Sequence, residues 1–259
     1  MNPALIQQQI TKAGGGGGNP TPLGRWKMNE GTGFTLLDSS GNGNNLGQYG
    51  ITNPALTGWS ATPSFGFSAP YSIFNSGGAT LYPLVTATTT EFSFTGTQPF
   101  SVSLWMYING GGAGPEYTIV GNLEQSPNYT GWEIYLDTAG GNLLFAQYSN
   151  YTTSNGLTVQ IPATLITRNV IHHLVCTYDG SRTPSGVTFY LNGVVQATTT
   201  GTNALTGSTA STSPLCLAAR IDGSSTFGQD QEGILQDLQI FSSAITQAQV
   251  TAIFTAGPQ

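Results

Sequence analysis

Alternation of apolar and polar positions is the clearest pattern in the chain, and it is strictest at Phe100-Ser-Val-Ser-Leu-Trp-Met-Tyr-Ile108. Phe100, Val102, Leu104, Met106 and Ile108 fall on one side, while Ser101, Ser103, Trp105 and Tyr107 fall on the other. A period of two over this length predicts a β-strand with one face in a core. The second face passes from hydroxyls to large aromatics, so its far end is expected to be covered as well. Such a strand belongs at the centre of a layered β structure. Comparable patterns predict strands at 118–120, 132–137, 142–148, 159–161, 170–178, 187–192, 194–198, 215–219 and 235–241, with Phe92 and Phe94 alternating ahead of the central strand. Asp179-Gly180 and Asn192-Gly193 are turn signals, and the second lies between two strands as a hairpin requires. Residues 50–90 carry aromatics and prolines with weak periodicity, which predicts short strands and loops.

Both ends of the chain depart from this pattern. Near the C-terminus, Thr246 and Gln249 have capping-box spacing, Val250, Ile253 and Phe254 share one helical face, and Gly257-Pro258 stops the helix. At the N-terminus, Asn2 and Pro3 suit a helix start. Leu5, Ile6 and Ile10 then gather on one face. A helix this short needs a partner surface to be stable in water. Five glycines, Gly14 to Gly18, and Asn19-Pro-Thr-Pro22 follow as a flexible, then stiffer, linker. Residues 1–13 are therefore expected to be an anchor peptide, 14–22 a linker, and 23–259 one globular domain; a disordered tail is the alternative for the first segment.

Composition sharpens the class. Charged residues make up only 7% of the 259, so the surface is coated with hydroxyls and amides rather than ions. Long solvated helices usually carry many Glu, Lys and Arg, so the composition favours an all-β protein. The net charge is −6 with only six Lys and Arg, which sets nucleic-acid binding aside. No apolar run approaches the roughly 18–20 residues of a membrane-spanning helix, so no membrane insertion is expected. The first residues also lack a signal peptide's basic start and apolar core. Cys176 and Cys216 lie in apolar, strand-like surroundings, and the simpler reading is two buried thiols.

The order of motifs resembles the laminin G-like branch of the concanavalin A-like lectin/glucanase superfamily. Trp26-Lys-Met-Asn-Glu-Gly-Thr-Gly33 with Asp38-Ser-Ser-Gly-Asn-Gly-Asn44 looks like that family's opening. Pro99-Phe-Ser-Val-Ser-Leu-Trp105 is similar to its central strand. His173-Leu-Val-Cys-Thr-Tyr-Asp-Gly180 and Phe189-Tyr-Leu-Asn-Gly193 look like its paired late strands. Gly233-Ile-Leu-Gln-Asp-Leu-Gln-Ile-Phe241 and the following helix resemble its ending. The resemblance implies a jelly-roll sandwich of two antiparallel sheets, one concave. Two departures stand out: Ile171 where the family usually has Trp, and Gln236-Asp237 where it often has two acids.

The candidate chemistry is sparse. Asp38, Ser40, Asn42 and Asn44 offer oxygens at alternate positions, as a structural Ca²⁺ site would, and Asp237 could approach the same place. The alternative is a Gly/Asn turn in which Asp38 accepts local backbone N–H groups. Glu133 and Asp137 share a strand face, with Tyr135 between them. They lie roughly 13 Å apart along an extended strand, too far for a glycosidic acid pair, and are expected to form a solvated face. His172 and His173 point to opposite faces and cannot share a metal. Trp59, Tyr117, Tyr129, Tyr148 and Tyr151 sit among Gly, Asn, Ser and Thr, as aromatics that stack on sugars do.

The expectation is thus a non-catalytic adhesion or decoration module. Its first thirteen residues dock it to a larger assembly, expected to be a bacteriophage virion (capsid or tail). There it presents on the particle surface a lectin-like domain with capacity for cell-surface glycans. Several copies on one assembly, or a homo-oligomer, would give weak sites avidity. A glycoside hydrolase or lyase on the same fold, and a coat protein without ligand, are the alternatives.

Overall fold

The computed structural model describes residues 20–33, 35–48, 57–60, 72–75, 84–86, 90–108, 116–124, 127–137, 141–218, 220–222, 226–228 and 233–259. The expected anchor at 1–13 and the glycine run of the linker lie outside the described residues.

Among the described residues, two large antiparallel sheets make a sandwich, as expected. One has eight strands. Val194–Val195, Val187–Leu191, Ile171–Tyr178, Phe100–Ile108, Gly233–Phe241, Ser72–Asn75 and Thr57–Ser60 follow one another in space, and Gly24–Trp26 also pairs with Gly233–Phe241. The other has nine: Thr199–Asn203, Asn155–Pro162, Asn142–Asn150, Gly131–Asp137, Glu116–Gly121, Cys216–Leu217, Leu84–Thr86, Leu46–Gln48 and Thr35–Leu36. Phe100–Ile108 lies between Ile171–Tyr178 and Gly233–Phe241. It is the central strand its alternation predicted.

The inner faces meet in one continuous core. Val102, Leu104 and Met106 of the eight-stranded sheet face the side on which Ile134, Phe145 and Val159 project from the other. Phe100 is an aromatic hub: Phe94 stacks on it at 4.1 Å and 8°, and Trp132 lies 4.9 Å away. Phe92 and Phe94 are buried but not in a strand. Side chains hold this irregular segment instead, with Trp132 Nε1 (2.8 Å) and Asn122 Nδ2 (3.1 Å) donating to the Phe92 carbonyl.

A bulge between Gln236 and Gln239 breaks the alternation of the Gly233–Phe241 strand and lets Leu235 and Leu238 both face the core. Asp237, at the bulge, takes a left-handed conformation (φ 46°). Asn192 (φ 52°) and Gly193 (φ 78°) form the two-residue hairpin turn expected there. The C-terminal helix, Gln247–Ala256, has the predicted capping box and ends at Gly257 (φ 71°). It buries Val250 and Ile253 on the outer face of the eight-stranded sheet, beside Val175, Tyr190 and Phe241. Phe254 stacks on Trp105 (5.7 Å) and on His173 (5.8 Å), so the second face of the central strand is covered. Both cysteines are buried and unbridged. No helix among the described residues is long and apolar enough to cross a membrane.

Candidate functional site

The helix covers the outer face of the eight-stranded sheet, so the outer face of the nine-stranded sheet is where a cleft opens. Three neighbouring strands, Glu116–Gly121, Gly131–Asp137 and Asn142–Asn150, build it. Strand parity sends Ile119, Trp132, Ile134, Leu143 and Phe145 inward. It sends Tyr135, Leu144, Ala146 and Tyr148 outward, where they form a separate cluster with Leu123 and Tyr129. Tyr151, about half exposed, meets the edge of Tyr148 at 5.1 Å and 87° and lies 5.3 Å from Tyr129. The result is a cleft of about 180 Å³ lined by Tyr129, Tyr135, Tyr148 and Tyr151 above a charged floor.

The two loops that carry Tyr129 and Tyr151 are stitched together. Thr130 Oγ1 donates to the Ser149 carbonyl (3.1 Å) and Tyr151 N–H to the Asn128 carbonyl (2.9 Å). Asn150 Oδ1 accepts from Thr152 Oγ1 (2.6 Å) and Thr153 N–H (3.1 Å). The Tyr148 ring lies over Gly156 on the adjacent strand, where any Cβ would collide with it. The tyrosines are therefore held in place before any ligand arrives.

The floor is a buried ion pair. Glu133, 2% exposed, accepts from Arg220 Nη2 (2.5 Å) and Nε (3.1 Å), and from Thr118 Oγ1 (3.2 Å). Glu116 lies 3.7 Å from the same guanidinium, and its side chain is 37% exposed. Burial pushes the Glu133 carboxyl up; the charge and hydrogen bonds of Arg220 oppose this, and Glu116 adds to it. Burial works against the Arg220 charge, but Glu133 outweighs it and holds the guanidinium above its ordinary value. Burial, aided by the Glu133 charge, also raises the phenols of Tyr135 and Tyr148, so both stay protonated and can donate a hydrogen bond.

Of the aromatics singled out in the sequence, the fold brings Tyr129, Tyr148 and Tyr151 together. Tyr117 lies apart: it sits on the inner face of its strand, 4% exposed, within the core between the sheets. Its alternation with Thr118 and Ile119 was the available signal. The side chain of Trp59 lies outside the described residues. Glu133 corrects the expectation of a solvated face, because Arg220 neutralises it in the interior. Arg220, Glu116 and Leu123 were missed. A lone arginine beside the apolar Leu215-Cys-Leu-Ala218 was the one local clue.

The other candidate cluster is a tightly hydrogen-bonded loop. Asp38 accepts from Arg25 N–H (3.0 Å), Ser40 N–H (2.8 Å), Ser40 Oγ (2.8 Å) and Asn44 N–H (2.9 Å). Partial burial works to raise its carboxyl, but these donors outweigh it and hold it below its ordinary value. Asn42 and Asn44 turn their amide nitrogens to the Leu23 carbonyl (2.8 and 3.4 Å). Asp237 does approach this region, but both its oxygens accept from the Arg25 guanidinium (2.8 and 3.0 Å). Donor N–H and O–H groups, with an arginine already between the two acids, do not fit Ca²⁺, which wants six to eight free oxygens. Among the described residues no three His, Cys, Asp or Glu side chains come together as metal ligands.

The family model described as the concanavalin A-like lectin/glucanases superfamily, of laminin G type, matches residues 83–251. Among solved structures, the chain is similar to the binding domain of Paraclostridial Mosquitocidal Protein 1, with TM-score 0.63 and 16% identity over 91% of this chain and 52% of that one. The receptor binding domain of botulinum neurotoxin D gives 0.63 and 14% over 92% and 53%. A Trypanosoma rangeli sialidase gives 0.59 and 13% over 90% and 32%. The chain thus spans about half the length of the toxin domains, and at these identities the likeness is one of fold. A comparison with curated protein sequences finds no significant match.

Proposed function

The chain belongs to the concanavalin A-like lectin/glucanases superfamily, and from that premise we propose that it is a non-catalytic binding module whose ligand is a glycan held in the tyrosine-lined cleft. One observation carries this reading: Tyr129, Tyr148 and Tyr151 converge on an open cleft with carboxylate and phenol groups at its floor. Sugar rings present apolar C–H faces to aromatics and hydroxyls to such polar groups. The similarity to toxin domains titled as binding and receptor binding supports a binding role.

The arrangement favours binding over hydrolysis. A general acid must present its proton to the scissile oxygen. Both oxygens of Glu133 are instead held by Arg220. The reading extends to display on a larger assembly, a phage particle being the candidate, with residues 1–13 as the attachment peptide.

A glycan array probed with the wild-type domain and with Tyr151→Ala tests the site. Tyr151 is exposed, so the variant keeps its fold, and loss of one stacking face lowers affinity for the best-bound glycan about ten-fold. An array blank for the wild type, or binding unchanged in Tyr151→Ala, overturns the assignment. Release of reducing sugar from a bound polysaccharide, lost in Glu133→Gln, would replace it with the hydrolase reading.

A further inference from the structure

The charges in the cleft are unequal in kind as well as in number. Among the described residues, two carboxylates face one guanidinium, which leaves a formal charge of −1. The guanidinium is 8% exposed and already engaged by both oxygens of Glu133. An incoming acidic sugar could take it only by breaking a buried ion pair, which is far costlier than an exposed one. Among the described lining residues, the charge that reaches solvent is the Glu116 carboxylate, 37% exposed. Above it stand tyrosine rings, whose faces attract cations. The chain as a whole carries −6, so its long-range field opposes anions as well.

We infer that the cleft prefers sugars bearing a free ammonium group, such as de-N-acetylated hexosamines, over neutral sugars, and rejects acidic ones. The inference rests on the glycan-binding reading above and names its ligand class. In this arrangement one hexosamine ring stacks on the tyrosines, its ammonium faces Glu116 and a ring face, and the protonated phenols donate to its hydroxyls. The Arg220–Glu133 pair acts as positioning machinery: it sets the floor and keeps Arg220 from serving as an anion receptor.

Calorimetric titration at about pH 6 with three tetrasaccharides tests this: N-acetylated chitotetraose, its fully deacetylated form, and tetragalacturonate. The deacetylated form binds about five-fold more tightly than the acetylated one at low salt, the product of an exposed ion pair and a cation–π contact. Raising the salt to about 0.5 M shrinks the ratio. Tetragalacturonate gives no heat of binding. Glu116→Gln, at a part-exposed position that tolerates the change, brings the two chitotetraose affinities together. Equal affinities in the wild type, tighter tetragalacturonate, or a preference that survives Glu116→Gln each overturn the inference while leaving glycan binding intact. Failure of all three sugars to bind, with an array blank as well, overturns the glycan reading itself.

Discussion

Asp237 carries an unusual combination of demands for one residue. It holds a left-handed backbone at the bulge, is 1% exposed, and grips the Arg25 guanidinium with both oxygens. Asn tolerates that backbone and has nearly the same volume, so Asp237→Asn isolates the charge. Arg25 keeps 24% of its side chain in solvent and can hydrate when its partner is neutralised. The full penalty of a broken buried pair is therefore not reached, and the loss is about 2 kcal/mol. For a chain of this size that lowers the melting temperature by about 5 °C. Thermal unfolding followed by circular dichroism reads it, and an unchanged midpoint would mean that the pair contributes nothing. Residues of this kind are hard to see in a sequence. Asp237 stood out only as one acid where the family often has two, and its partner lies 212 positions away. Arg220 and Glu133, 87 positions apart, pose the same problem. Parity along a strand is local information and assigned Tyr148 and Tyr117 to opposite sheet faces once the strand bounds were known; charge pairing across the chain is not.

Elements were more legible where burial is one-sided. The central strand, the Asn192-Gly193 hairpin and the capped helix each announce themselves through a local rule. Thr199–Asn203 does not: it is an exposed edge strand without an apolar residue, so nothing in Thr-Thr-Gly-Thr-Asn distinguishes it from a loop. The helix also creates an environment that its own sequence does not announce. By roofing the outer face of the central strand it encloses His173, stacked near Trp105 and Phe254, with Nε2 against Ser103 Oγ at 2.9 Å and Nδ1 without a partner among the described residues. Burial lowers the imidazole to about 4, from 6.5. Between those values the unfolded chain binds the proton and the folded one does not, so stability is full above about 6.5 and falls as the pH drops toward 4. The interval corresponds to about 3 kcal/mol. Urea midpoints measured between pH 7 and pH 4 should decline, and His173→Gln should flatten the decline. An equal decline in the variant would assign it to other groups.

At the scale of the whole molecule, the two sheets are used differently. The eight-stranded sheet gives its outer face to the helix, while among the described residues the nine-stranded sheet places the cleft on its own outer face. Among the described residues, the core runs from Trp26 to Ile240, with Leu23 packed against it. If residues 1–18 serve attachment, their removal should separate the two roles. On that reading the form lacking residues 1–18 should melt within about 1 °C of the full chain, because a separate attachment peptide adds no buried area to the sandwich. It should keep its affinity for the array's best glycan. Co-expressed with the particle that carries the full chain, it should remain in the supernatant when the particles are sedimented. Loss of the melting transition would place residues 1–18 within the folded unit, and sedimentation at the full-length level would move the attachment surface onto the sandwich. The glycine run that follows the apolar triplet Leu5, Ile6 and Ile10 gives the reason to expect separation. On the proposed reading, a glycine-rich tether would transmit neither strain nor order, so the domain would be free to turn its cleft toward a surface while the attachment peptide stays fixed. If several copies attach to one particle as proposed, their weak clefts would together gain avidity that no single cleft of about 180 Å³ could supply.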